Sequence, residues 1–508
     1  MKLIKYISLA TVVLASCGDA PEAIRTGIEK EPAVNIEHKD GMNVVGRVTV
    51  DGKAREGIVV SDGINVITTD ANGEYQMRSV GRQHIFVSVP EDCQIPVENG
   101  APKIFKSLQF NEDAVIQVNF DLKSRVKPES FKLYAVADVQ IGYESDVTDW
   151  QANILPDMID LASGLGNDAY GISLGDIIWN APDMYPTYVQ TITKVPVPMF
   201  SVIGNHDHNE KTKGDTESDK EFRDALGPTY YSCNIGDWHL VVLDDVIYSG
   251  ASGRNDYTCA VNQQQLDWLA KDLQYVDHSK SILIGVHVPT ATLTTNSNLT
   301  NTADLHNLVK DYAEVQILSG HTHQNFQTII SDNMEETTLG AVMGAYWNTK
   351  DGVGVCSDGS PRGYAVLEFT GNRLTNKYYK GAAHPADYQI KIYKPEEASY
   401  RFGKDDDGNP VKVDNENILV NIFFWREDWK VELQEDGGAW QTITNFANAS
   451  DPLAVQILQG DNEWEVRPSA GPSSPKHMFT YKPAASWKTI TVKATDPYGN
   501  VYQSTANR

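Results

Sequence analysis

The sequence predicts an α/β core flanked by two small all-β domains. Three observations lead there. Between about Phe131 and Tyr379, near-continuous apolar runs end in polar clusters: LYAVADVQ, YGISLGDIIWN, MFSVIGNHDH, HLVVLDD, SILIGVHVP and VQILSGHTH. Such runs read as strands buried on both faces. Stretches such as NILPDMIDLAS and NQQQLDWLAKDLQ lie between some of them, with apolar residues three and four apart as on an amphipathic helix. On either side the text turns to short alternating runs separated by turn signals.

The chain opens MKLIKYISLATVVLASCGDA. Lys2 and Lys5 precede a mostly apolar run from Ile7 to Ala15, which is too short to span a bilayer and suits a signal peptide. Leu14-Ala15-Ser16-Cys17 resembles a bacterial lipobox, so residues 1–17 are expected to be a lipoprotein leader with lipid on Cys17. That reading places the protein outside the cytoplasm of a bacterium, anchored by lipid at the periplasmic face or cell surface. Residues 18–42 are polar and aperiodic, as a tether is.

From 43 to 125 the runs VVGRVTV, GIVVSD, NVITTD, GEYQM, HIFVSV and AVIQVNF are broken by Asp51-Gly52, Asp62-Gly63 and Asn72-Gly73. This is the text of a small β-sandwich. The core is assigned 126–385. Residues 386–508 return to short strands (NILVNIFFW, KVELQ, WQTIT, WEVRP, HMFTYK, TITVKATD), with a loop at Asp405-Asp406-Asp407-Gly408-Asn409-Pro410.

A formal charge of −25 argues against nucleic acid and anionic membrane surfaces as partners. An anionic substrate would need a local reversal of that field, which a metal cluster provides. Cys93, Cys233, Cys259 and Cys356 are scattered and form neither a disulfide framework nor a zinc ribbon.

Five segments share one design, a buried strand followed by a tight polar loop. They are Asp138-Val139-Gln140, Gly175-Asp176, Gly204-Asn205-His206-Asp207-His208, His287 and Gly320-His321-Thr322-His323. Parallel strands deliver such loops to one edge of a sheet. Carboxylate, amide and imidazole without thiolate suit Mn, Fe or Zn.

The order Asp-x-Gln, Gly-Asp, Gly-Asn-His-Asp, His, Gly-His-x-His resembles the calcineurin-like metallophosphoesterases over roughly residues 131–380. The flanking β domains resemble accessory domains of a bacterial branch of that family. The resemblance implies a four-layer α/β/β/α core and hydrolysis of phosphate esters, mono- or diesters, by water activated between two divalent or trivalent metal ions. It implies that Asp138, Gln140, Asp176 and His323 hold one ion. Asp176 would bridge to the second, held also by Asn205, His287 and His321. His206 would stand beside the scissile phosphate, oriented by Asp207. Most of the family has His where this chain has Gln140, and an amide is the weaker donor.

Further candidates for substrate contact are His208, and Tyr346, Trp347 and Arg362 in a stretch rich in glycine and aromatics that is similar to text in the same branch. His239 and His278 read as structural. A rival reading is a surface lipoprotein that binds glycan or protein through its β domains around a relic metal site.

Overall fold

The computed structural model describes residues 35–80, 83–108, 114–291, 299–345, 347, 354–404, 410–412, 415–459 and 471–508. Cys17 and the leader, most of the tether, Tyr346, WEVRP and most of the 405–410 loop therefore lie outside the described residues. Ile36–Arg508 form one compact unit.

Two sheets make the core. The first runs Met199–Val202, Ala169–Leu174, Ser130–Val136, Gly363–Thr370, Arg373–Gly381. Its first three strands are parallel, and the last two are added antiparallel. The second runs Tyr231–Ile235, Trp238–Val242, Ser281–Gly285, Val315–Ser319, Met334–Thr338, Phe326–Ser331, with four parallel strands in its middle. Every residue of the Ala169–Leu174, Ser281–Gly285 and Val315–Ser319 strands is buried, which explains why they read as continuous apolar runs.

Leu133, Ala135, Ile172, Leu174 and Phe200 of the first sheet share a core with Leu240, Val242, Ile282, Ile284 and Ile317 of the second. The other face of the first sheet, with Tyr134 and Val136, packs on Trp150, Ile154, Met158 and Tyr188 of its helices. Helix Gln263–Asp272 covers the second sheet, capped by Asn262, whose side chain accepts from Gln265 N at 3.0 Å. The layering is helix, sheet, sheet, helix, as expected.

The N-terminal region folds as two small sheets around Val44–Val50 and His84–Ser88 and a two-stranded one of Val97–Glu98 and Ala101–Pro102. It joins the core without a gap: Val60, Phe86 and Val87 lie in the same apolar cluster as Trp268, whose Nε1 donates to Ser61 Oγ at 3.0 Å. The C-terminal region has its own core around Ile418, Val420, Leu433, Ile490 and Val492. It is not purely β, for helix Pro452–Gln459 interrupts the strands. Asp451 starts that helix by accepting from Leu453 N and Ala454 N. Cys93, Cys233, Cys259 and Cys356 are all unpaired. Among the described residues no helix is long and apolar enough to cross a membrane.

Candidate metal centre

The parallel strands of both sheets release their C-terminal loops at one edge, and each loop turns at once. Among the described residues, ten that are not glycine have left-handed backbone, and five are Asp138, Gln140, Asp176, His321 and His323. A sixth, Asn180, lies in the same cluster of loops. Left-handed backbone is uncommon outside glycine and gathers where function holds it. Two glycines let the loops touch: a Cβ on Gly204 would run into Asp176 Oδ1, and one on Gly320 would stand 2.7 Å from Asp138 Oδ2.

The result is two triads sharing one carboxylate. Asp176, His287 and His321 bring ligand atoms within 4.8 Å of one another, and so do Asp138, Asp176 and His323. His287 Nε2 lies 3.3 Å from Asp176 Oδ1, 3.2 Å from Asn205 Oδ1 and 3.2 Å from His321 Nδ1. On the other side His323 Nε2 lies 3.2 Å from Asp138 Oδ1. Gln140 Nε2 donates to Asp176 Oδ2 at 3.0 Å and lies 3.3 Å from His323 Nε2. The seven residues expected as ligands thus come together around Asp176.

The donor set fits cations. Gln140 Oε1 is buried and accepts no hydrogen bond, a costly state for polar oxygen. Burial opposes charge on His287, yet Asp176, Asp138 and Asp245 push its pKa up to about 10. Burial and the charge of His287 push His321 down to about 4. Burial acts to raise Asp176, but His287 and His206 hold it below the ordinary carboxylate range.

A second layer fixes these rings. His287 Nδ1 meets Leu174 O at 2.8 Å, which turns Nε2 inward. Asp245 accepts from His287 N at 3.2 Å and Val288 N at 2.7 Å. Asp138 Oδ2 accepts from His321 N at 3.0 Å.

His206 stands beside the triads, half-buried, its ring stacked on Trp179 with centroids 3.9 Å apart. Its Nδ1 meets Asn180 Oδ1 at 3.0 Å, not Asp207. The expected Asp207–His206 pairing is therefore replaced. The Asp207 carboxylate is spent on Ile177 N, Ile178 N, Gly204 N and the Tyr185 hydroxyl. Burial and Asp176 push its pKa up to about 7 against those amides. Sequence reasoning missed Asn180, Trp179 and Asp245, because their partners are distant in the chain.

Three of the expected substrate contacts, Arg362, Trp347 and His208, are buried against other side chains and backbone instead. Arg362 is 5% exposed and gives both terminal nitrogens to Asp149, each at 3.2 Å. Trp347 is buried and donates from Nε1 to Val139 O at 2.8 Å. His208 is buried, meets Ser218 Oγ at 2.9 Å through Nδ1, and stacks on Tyr248. His239 is structural as expected, buried between Asn234 and Asp272.

Residues 131–325 match the family described as calcineurin-like phosphoesterase. Residues 42–125 match its N-terminal domain and 336–502 its C-terminal domain. No curated protein sequence matches the chain. Among solved structures it is similar to a dimetal phosphatase from Danio rerio, at 17% identity over 50% of this chain and 96% of that one, with a TM-score of 0.36. It is similar to a purple acid phosphatase from yellow lupin seeds, at 10% identity over 64% and 67%, with a TM-score of 0.38. It is also similar to a 5'-nucleotidase precursor from Thermus thermophilus, at 12% identity over 74% and 89%, with a TM-score of 0.31. The chain belongs to the calcineurin-like phosphoesterases, enzymes of the phosphoric ester hydrolase class that use a dinuclear divalent metal centre.

Proposed function

We propose that this chain hydrolyses phosphate esters at a dinuclear centre. Asp138, Gln140, Asp176 and His323 hold the first ion. Asp176, Asn205, His287 and His321 hold the second. One observation carries the reading: buried Asp176 turns Oδ2 toward Gln140 and Oδ1 toward His287, so a single carboxylate serves both clusters. Two cations there need such an anionic bridge.

Bound ions would supply Lewis acidity toward the phosphoryl oxygens and lower the pKa of a water to about 7. The protein's own groups do the rest. His206 stands outside both ligand sets, and Asn180 Oδ1 accepts from its Nδ1, so Nε2 would pass a proton to the leaving oxygen from the doubly protonated ring, a form that burial disfavours and Asp176 favours. Trp179 behind the ring restricts its rotation. Asp207 shapes the turn that carries Asn205 and His206 by holding the Gly204 amide.

The test is to strip the protein with a chelator and resupply Mn, Fe, Zn and Mg separately. Hydrolysis of p-nitrophenyl phosphate and bis-p-nitrophenyl phosphate is then measured. Turnover is expected to vanish on chelation and return with Mn, Fe or Zn. Asp176→Asn should lose metal and rate together. Active protein that contains no transition metal would sink the reading.

We also propose that the protein works outside the cytoplasm on a lipid tether at Cys17. The support is the leader text alone.

A further inference from the structure

The first ion's loops rest on residues 339–345, 347 and 354–362. Under the Asp138–Gln140 loop, Val342 N donates to Ala137 O at 2.9 Å. Trp347 Nε1 donates to the carbonyl of Val139, the residue between the two candidate ligands, at 2.8 Å. Trp347 is itself held edge-on to Trp150, with Arg362 5.6 Å over its ring.

Under the Gly320–His323 loop, Leu339 N donates to Ser319 O at 2.9 Å, just before the loop. Just after it, Asn325 N donates to Asp358 Oδ2 at 2.7 Å, and Asn325 Oδ1 accepts from Gly340 N at 2.8 Å. Asp358 is fully buried, and its Oδ1 accepts from Ser360 N at 2.8 Å.

The C-terminal region locks this stretch. Asn421 Nδ2 donates to Asp358 O at 2.8 Å and to Asp451 Oδ2 at 2.9 Å. Gly359, with φ +80°, sits so tightly on Asp451 that any Cβ there would strike its carboxylate. Asp451 is in turn fixed by the Tyr393 hydroxyl at 2.7 Å.

The buttress is uneven between the two ions. It underlies the loops of Asp138, Gln140 and His323, three of the four donors to the first ion. Of the second ion's donors only His321 shares it. His287 is held by Leu174 O and Asp245, and the turn of Asn205 by Asp207.

We infer that residues 339–345, 347 and 354–362, with Asn421 and Asp451, form a positioning layer for the first metal site, so that the C-terminal domain sets how tightly that site keeps its ion. This rests on the dinuclear reading above. Trp347, Asp358 and Asn421 are positioning residues that act through Val139 and Asn325.

The test uses full-length protein, stripped and titrated with Mn²⁺ alone, read by binding stoichiometry and by the electron paramagnetic resonance signal of a coupled ion pair. Wild type is expected to take two ions and show the coupled signal. Trp347→Phe keeps an aromatic ring against Trp150 and loses the indole donor together with part of its bulk. Asn421→Ala cuts the link from the C-terminal domain. Each should weaken one site about 10–100-fold, the usual cost of losing an orienting partner. At Mn²⁺ concentrations that fill the wild type, each should then show an uncoupled single-ion signal. A merely structural role would weaken both sites alike, and that result overturns the inference. So does a pair of titrations that match wild type. If Asn421→Ala does not fold, Trp347→Phe decides alone. Wild type that binds no Mn²⁺ or other transition metal overturns the dinuclear reading first and this inference with it.

Discussion

Asn180 Oδ1 lies 3.0 Å from His206 Nδ1, and the ring makes no bond to Asp207 although Asp207 is the next residue. The orienting group of the proposed proton donor therefore comes from the loop after Asp176. That loop also donates Asn180 N to His206 O at 3.1 Å.

The first prediction follows from that pair. His206→Asn should keep both ions and lose roughly 10²–10⁴-fold in turnover, the usual worth of a positioned proton donor. The loss should be smaller for esters with good leaving groups, which need little protonation. Asn180→Ala should lose less, roughly 10–100-fold, because the ring remains but drifts. Metal content, and turnover on two esters of high and low leaving-group pKa, check both. A fall in metal content in His206→Asn would show that the ring is a ligand.

Asp207 should behave differently. Its carboxylate accepts from Ile177 N at 3.0 Å, Ile178 N at 3.1 Å and Gly204 N at 2.9 Å, all buried. Asp207→Ala strands three amides, each costing about 1–3 kcal/mol. Denaturant unfolding should show a loss of at least ~3 kcal/mol, with both ester substrates affected alike. An unchanged unfolding midpoint would return Asp207 to a direct role in the chemistry.

The order of loops was legible because strand runs and polar clusters are local text. Each of the five segments follows a buried strand, and register carries it to one edge. What was not legible depends on packing across the chain. Asn180 precedes His206 by 26 residues, and nothing in the text pairs them. The pairing with Asp207 was what the family resemblance implied. Asn205–Asp207 is a single tight turn, however, which aims neighbouring side chains apart. Trp347 and Arg362 carry groups that can contact a ligand or pack behind one. Only the distances to Val139 O and Asp149 place them behind the site. Helix Pro452–Gln459 is short and lies among strands, so its apolar spacing was too brief to stand out.

Location gives a third prediction. Lipid adds roughly 0.8 kcal/mol of membrane affinity per buried CH₂, and the leader text offers Cys17 as its attachment point. Cys17→Ser should move the protein from the membrane to the soluble fraction of cells, read by fractionation and blotting. If the variant stays with membranes, the lipobox reading fails.

The last prediction concerns Gln140, the one departure from the family's usual ligand set. Its backbone is left-handed, with φ +48°, a region that histidine enters more readily than most side chains. Its side chain is 2% exposed and reaches Asp176 Oδ2 at 3.0 Å with Nε2, while Oε1 is buried without a donor. A half-turn of the amide would bring Oε1 to the place between Asp176 and His323, where a cation would satisfy it. Amide oxygen is a weaker donor than imidazole to Mn, Fe or Zn. Gln140→His should therefore hold the first ion more tightly, by about tenfold or ~1.4 kcal/mol, and leave the second nearly unchanged. Competition with a chelator of known affinity measures the two steps separately. Two outcomes are distinct. A shift confined to one ion makes residue 140 a ligand. Superimposed titrations make Gln140 only a hydrogen-bond partner of Asp176, and the first ion would then rest on Asp138, Asp176 and His323 alone.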